Sequence, residues 1–147
     1  EQRNFLDGFE ESAVLPVDGL GDVLFCHGTP RSDEEHFTVL TPGARLQEIF
    51  AGIEQPIVVC GHTHMQFDRP FGDIRLVNAG SVGMPYGKPG AYWAVLGPDV
   101  ALRHTAYDLE SAARRIRESS YSEAEDFAAH NVLQPPTEAE ALAFFER

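Results

Sequence analysis

A chain of 147 residues fits one ordinary domain and is long enough to bury a workable core. Its 43 % apolar and 23 % charged residues are the balance of a globular protein and argue against a disordered or fibrous one. Eleven Lys and Arg stand against 23 Asp and Glu, a formal charge of −12. A surface that acidic repels phosphate backbones, which argues against non-specific nucleic-acid binding. It leaves a phosphate substrate open, because a bound metal inverts the field locally.

Phe5, Leu6 and Phe9 recur at helical spacing, which predicts a helix over Glu1–Ser12. Val14-Leu15-Pro16-Val17 is a short extended piece, with Asp18-Gly19 as a turn. Asp22–Cys26 is a continuous apolar run of strand length, read as a buried strand. His27-Gly28-Thr29-Pro30 breaks it, and Arg31–Gly43 is a polar loop. Leu46, Ile49, Phe50 and Ile53 fall on one face, so Ala44–Ile53 is expected to be an amphipathic helix. Pro56–Cys60 reads as a second buried strand, cut off by Gly61. Ile74–Asn78, Ala91–Gly97 and Val100–Tyr107 read as further strands. The Gly- and Pro-rich stretch Ala79–Gly90 is a loop. Asp108 caps a helix with Leu109, Ala112, Ala113 and Ile116 on one face. Ser122-x-x-Glu125 and Thr137-x-x-Glu140 read as capping boxes of two more helices. The expected class is α/β, with α+β mixed layers. No window reaches the roughly 20 apolar residues of a membrane span, so no membrane partner is expected, and no signal peptide is recognisable.

The chemistry concentrates at two strand ends. Gly61-His62-Thr63-His64 follows one buried strand directly. Two histidines at i and i+2 of an extended segment project to the same side. Strand C-termini are where α/β folds place their sites. Cys26-His27-Gly28 ends the other buried strand. If the two strands share a sheet, His27, His62 and His64 come together. Imidazole suits Zn, Mn, Fe and Ni. The competing reading is three strand-end histidines bonded to backbone. His36, His104 and His130 lack a partner at ligand spacing and are read as structural or exposed. Cys26 and Cys60 are too few for a disulfide framework and fit a reducing, cytoplasmic setting. A zinc site that includes them is the lesser alternative, because Cys26 faces the core if His27 faces the site.

These segments carry a resemblance. Phe25–Glu35 (FCHGTPRSDEE), Val58–His64 (VVCGHTH) and Leu76–Leu96, with Asn-Ala-Gly-Ser-Val-Gly at Asn78–Gly83, resemble the C-terminal half of a calcineurin-like metallophosphoesterase of the small bacterial type. The resemblance implies the second half of a four-layer αββα sandwich, with two metal ions at its strand ends. It implies that His27 and His62 bind the second metal and that His64 binds the first, beside a bridging hydroxide. The implied metals are two divalent ions, Mn, Fe, Zn or Ni. Three motifs of the family, Asp-x-His, Gly-Asp-x-x-Asp and Gly-Asn-His-Asp/Glu, are absent from the sequence. They would supply the remaining ligands and the histidine proposed to protonate the leaving group, so no catalytic residue is assigned. The chain also begins at Glu1. The expectation is therefore a C-terminal piece completed by an N-terminal half or a partner chain. Residues 1–119 would form that half-domain and 120–147 a helical C-terminal extension.

Weaker candidates surround the histidines. Arg31 either clamps the phosphate of a phosphate-ester substrate or pairs with Asp33, Glu34 or Glu35. Asn78 and Ser81, with Gly80, either shape the floor of the site or hold a tight turn. Tyr86 and Lys88 either line a substrate pocket or lie on a solvated loop. The leading function is hydrolysis of phosphomonoesters or phosphodiesters by a metal-activated hydroxide. A non-catalytic binding module with a partial three-histidine metal site is the alternative, and a mononuclear three-histidine hydrolase a third.

Overall fold

The computed structural model describes residues 2–146. After a short helix α1 (Gln2–Leu6), the strands β1 (Ser12–Val17), β2 (Gly21–Cys26), β3 (Ile57–Cys60), β4 (Phe67–Phe71) and β5 (Ile74–Asn78) form one sheet in the order β1-β2-β3-β5-β4. The three central strands run parallel, with Phe25 opposite Val59 and Cys60 opposite Asn78. The two edge strands are antiparallel. Parallel strands are covered on both faces, which explains why β2 and β3 read as unbroken apolar runs.

Alternation along the strands sorts their side chains to two cores. Leu24, Val58, Cys60 and Leu76 face one side, against Phe37 and the residues Leu46, Ile49 and Phe50 of and just after helix α2 (Gly43–Ile49). Val23, Ile57, Val59 and Val77 face the other, against Leu96, Val100 and Leu102. Those last three belong to the hairpin β6 (Ala91–Leu96) and β7 (Val100–Thr105), which is a separate two-stranded sheet. The layers are thus helix, sheet and second sheet, a mixed α/β fold as expected. Leu46 and Leu76 are fully buried, and each contributes about 1.5–3 kcal/mol of transfer free energy.

Three expected elements differ, and one strand is added to them. The N-terminal helix is confined to Gln2–Leu6 and buries nothing. With no surface to pack against, its apolar spacing cannot extend it, and the chain enters β1 at Ser12; Glu1 lies outside the described residues. Helix α2 stops at Ile49, and Gly52, at φ +79°, turns the chain while Ile53 still packs on the core. The sequence carries no strand signal at β4, because Phe67-Asp-Arg-Pro-Phe holds two charges and a proline. It is an edge strand, where Pro70 costs no ladder hydrogen bond, and Arg75 of β5 grips Asp68 at 2.7 and 2.9 Å. The Ser122 capping box does not form. Glu125 is taken instead by Arg117, at 2.8 and 2.9 Å.

The caps at Asp108 and Thr137 form as expected. Asp108 accepts from the Ser111 amide and opens helix α3 (Leu109–Arg117). Thr137 and Glu140 make the reciprocal box of helix α5 (Glu138–Phe145). Between them lie helix α4 (Ala124–Phe127) and a π-helical turn, Ala128–Leu133. Ala113, Ala128 and Val132 form a small core shared by α3 and that turn. Among the described residues no helix is long and apolar enough to cross a membrane.

Candidate metal centre

Because β2 and β3 are parallel neighbours, the segments that leave their C-terminal ends lie side by side. The Gly61 amide donates to the carbonyl of His27 at 2.9 Å. This brings His27 Nε2 to 3.2 Å from His62 Nδ1, with ring centroids 5.0 Å apart. Two nitrogens at that separation fit around one ion at the ordinary metal–nitrogen distance of about 2.0–2.1 Å. The donor pair therefore suits the metal that the sequence implies.

The loop that carries His62 is strained and tightly held. His62 and His64 have φ of 62° and 57°, a left-handed conformation that costs a side-chain-bearing residue of order 1–3 kcal/mol. The Thr63 amide donates to the Gly61 carbonyl at 2.7 Å. Beneath them the fully buried Asn78 donates through Nδ2 to the Gly61 carbonyl at 2.6 Å and to Thr63 Oγ1 at 3.0 Å. Its Oδ1 accepts from the Gly80 amide at 2.8 Å. Gly80 sits at φ +80°, and a Cβ there would lie 2.7 Å from Tyr92 Cβ. The Asn-x-Gly of the sequence is thus the clamp under the histidine loop.

This backbone corrects the expectation that His62 and His64 project together from an extended segment. His64 turns toward the Ala79–Gly90 loop. Its Nδ1 donates to the Met84 carbonyl at 2.8 Å, and its ring stacks on Tyr86 with centroids 5.8 Å apart. A carbonyl partner on Nδ1 leaves Nε2 as the free nitrogen, the orientation that metal-ligating histidines commonly have. Among the described residues no group of three or more His, Cys, Asp or Glu side chains converges closely enough to hold a metal.

His36, read from the sequence as structural or exposed, stands beside the pair. Its ring centroid is 6.2 Å from that of His62, and its Nε2 lies 3.0 Å from the Phe145 carbonyl. No sequence spacing announces this, because the connection is an irregular loop. Gly28 makes the loop possible, since the Glu35 and Asp33 carbonyls fold back onto the space a Cβ would take. The glycine that follows His27 is thus a packing requirement of this loop.

Burial lowers the pKa of His62, and the neighbouring His27 and His36 lower it further. Burial also lowers that of His64, against the opposing Met84 carbonyl. Both are therefore neutral at neutral pH, the form that binds metal. Cys26 and Cys60 pack on the α2 side of the sheet. Burial pushes the Cys26 thiol up to about 11 and raises that of Cys60 further. Both sulfurs sit in that apolar core and away from the histidines, which disfavours a cysteine-containing zinc site.

The weaker candidates are placed as follows. Arg31 forms a two-pronged ion pair with Glu35 at 2.7 and 2.6 Å, and its remaining nitrogen bonds the Glu48 carbonyl. Ser81 Oγ accepts from the Met84 amide at 3.0 Å and shapes the loop that receives His64. Tyr86 and Lys88 line a pocket of about 230 Å³ together with His64. His104 bonds the Pro89 carbonyl, and His130 the Asp126 carboxylate.

A sequence model of the calcineurin-like phosphoesterase superfamily domain matches residues 1–101. The chain belongs to that superfamily. Among solved structures it is similar to a hypothetical protein from Pyrococcus horikoshii, 19 % identical over 92 % of this chain and 55 % of that one, with a TM-score of 0.72. It is also similar to a metallophosphoesterase from Sphaerobacter thermophilus, 19 % identical over 88 % of this chain and 60 % of that one, with a TM-score of 0.64. At such identities the likeness shows the shared fold and no more. The chain spans a little over half the length of these two structures. No curated protein matches it.

Proposed function

We propose that this chain supplies part of a dinuclear metal site that hydrolyses phosphate esters, monoesters or diesters. The observation that carries the proposal is the 3.2 Å approach of His27 Nε2 to His62 Nδ1 at two adjacent strand ends. In this proposal His27 and His62 hold one divalent ion, Mn, Fe, Zn or Ni, and His64 Nε2 reaches the other. Bound metal supplies an activated hydroxide and offsets the charge that develops on the phosphoryl group. The chain's own part is to fix three imidazoles, His27 at the end of β2 and His62 and His64 on a strained loop clamped from below by Asn78. The carboxylate ligands and the leaving-group acid come from outside this sequence, from an N-terminal half or a partner chain. Residues 1–119 then act as the C-terminal half of a small bacterial-type phosphoesterase domain and 120–147 as its helical extension, in the cytoplasm.

Around the metals, Tyr86 and Lys88 line the substrate pocket. Arg31, Asn78 and Ser81 act through the loops they hold, since their polar atoms already have partners. The test is hydrolysis of bis-p-nitrophenyl phosphate and p-nitrophenyl phosphate by the full protein with added Mn²⁺. Native protein turns over one or both, and His62→Ala and His64→Ala abolish turnover with the fold intact. Near-native rates in either variant would remove the ligand assignment.

One observation favours a second reading, a non-catalytic binding module with a partial metal site. Among the described residues no third ligand joins His27 and His62. That module would bind metal weakly and show no turnover even with the upstream sequence present, which the same assay decides.

A further inference from the structure

Helix α5 is held at both ends over the histidine loops. At its start the Gly87 amide donates to the Pro136 carbonyl at 2.8 Å. At its end Glu146 accepts from the hydroxyls of Thr38 and Thr41, and the Phe145 carbonyl meets His36 at 3.0 Å. The Phe145 ring stands edge-on to both His36 and Tyr86, at 5.2 and 6.1 Å. So seated, α5 brings Glu138 into the pocket beside His64, where Tyr86, Lys88 and Tyr92 form other parts of the lining. Among the described residues the Glu138 carboxylate has no ion-pair partner, and neither has the Lys88 ammonium, although both line this one pocket.

We propose that α5 is the outer wall of the phosphoester site and that Glu138 is a specificity-determining residue, selecting substrates whose organic group offers a donor, an amine above all. The inference rests on the phosphoesterase reading of the histidines. The division of labour follows from charge. An ammonium beside His64 attracts phosphoryl oxygens, and a carboxylate on the facing wall accepts hydrogen bonds from an amine or hydroxyl and repels a second anion. The organic group thus meets the Glu138 carboxylate while the phosphate meets the Lys88 ammonium.

The test is calorimetric titration of the Mn²⁺-loaded full protein with inorganic phosphate, phosphoethanolamine and phosphoglycolate. The expected result is that phosphoethanolamine binds about 5-fold more tightly than phosphoglycolate, the upper end for one solvent-exposed charge contact. Glu138→Gln brings the ratio toward one and Glu138→Lys reverses it, whereas Glu110→Gln on α3, outside the pocket lining, keeps the native ratio. Circular dichroism checks that each variant is folded. If phosphate binds but the native ratio is near one, or survives Glu138→Lys, the wall has no selective role. If inorganic phosphate itself fails to bind the metal-loaded protein, the phosphoesterase reading falls and this inference with it.

Discussion

The side-chain amide of Asn78 at the end of β5 donates to the carbonyl of Gly61, one residue before His62, at 2.6 Å. That bond joins two neighbouring parallel strands at the point where the chain turns into the left-handed histidine loop. It predicts that Asn78→Ala destabilises the fold by about 1–3 kcal/mol, since the Gly61 carbonyl loses a buried partner. Metal affinity should fall by about 10-fold or more, because the ligands lose their support. Asn78→Asp should do the same, having lost the amide donor. Chemical denaturation and metal titration of the two variants check this.

Gly28 carries a second prediction. A methyl group there meets the carbonyls of Asp33 and Glu35, so Gly28→Ala must push the 31–36 loop away. Overpacking of this kind costs about 1–3 kcal/mol. The loop carries His36 and the Arg31–Glu35 pair, and protease cleavage within it should become faster in the variant than in the native protein.

The Arg31–Glu35 pair predicts a pH dependence. The Arg31 guanidinium and the Thr29 hydroxyl hold the Glu35 carboxyl below its ordinary value of 4.5, against opposing burial. The folded state therefore binds this proton less readily than the unfolded one. The stabilisation is fully present above pH 4.5 and is lost as the pH falls through the lower folded value. Glu35→Gln should be less stable than native protein at pH 6, with a difference that shrinks below pH 4.5. Thermal melts across that range measure it.

The cysteines give a chemical test. Cys60 is almost fully buried, and burial raises both thiols. Both should react slowly with a disulfide reagent at pH 8 in the folded protein and rapidly once it is denatured. Cys60→Ser should leave metal content and turnover largely unchanged.

Much of this architecture is legible in the sequence, and the reason lies in particular residues. Val23-Leu24 and Ile57–Cys60 are buried on both faces, so their runs announce parallel strands that must sit together. His27 and His62 follow as neighbours at the strand ends. The Asp108 and Thr137 caps are legible because the bond partners lie within one turn. What escapes is set by contacts distant in sequence. His36 reaches the site through a loop folded onto Gly28, β4 exists because β5 offers it an edge, and Glu125 leaves its expected cap for Arg117. The turn of His64 away from His62 depends on the clamp from Asn78, 14 residues further along the chain.

The proposed function stands on His27 and His62 holding a metal ion together. It is tested most directly by metal content after equilibrium dialysis against Mn²⁺ or Zn²⁺, comparing native protein with His27→Ala, His62→Ala and, as a control, His104→Ala. Metal should be bound by the native protein and the control, and lost from both site variants. Full metal content in His27→Ala or His62→Ala, or none in the native protein, would contradict it.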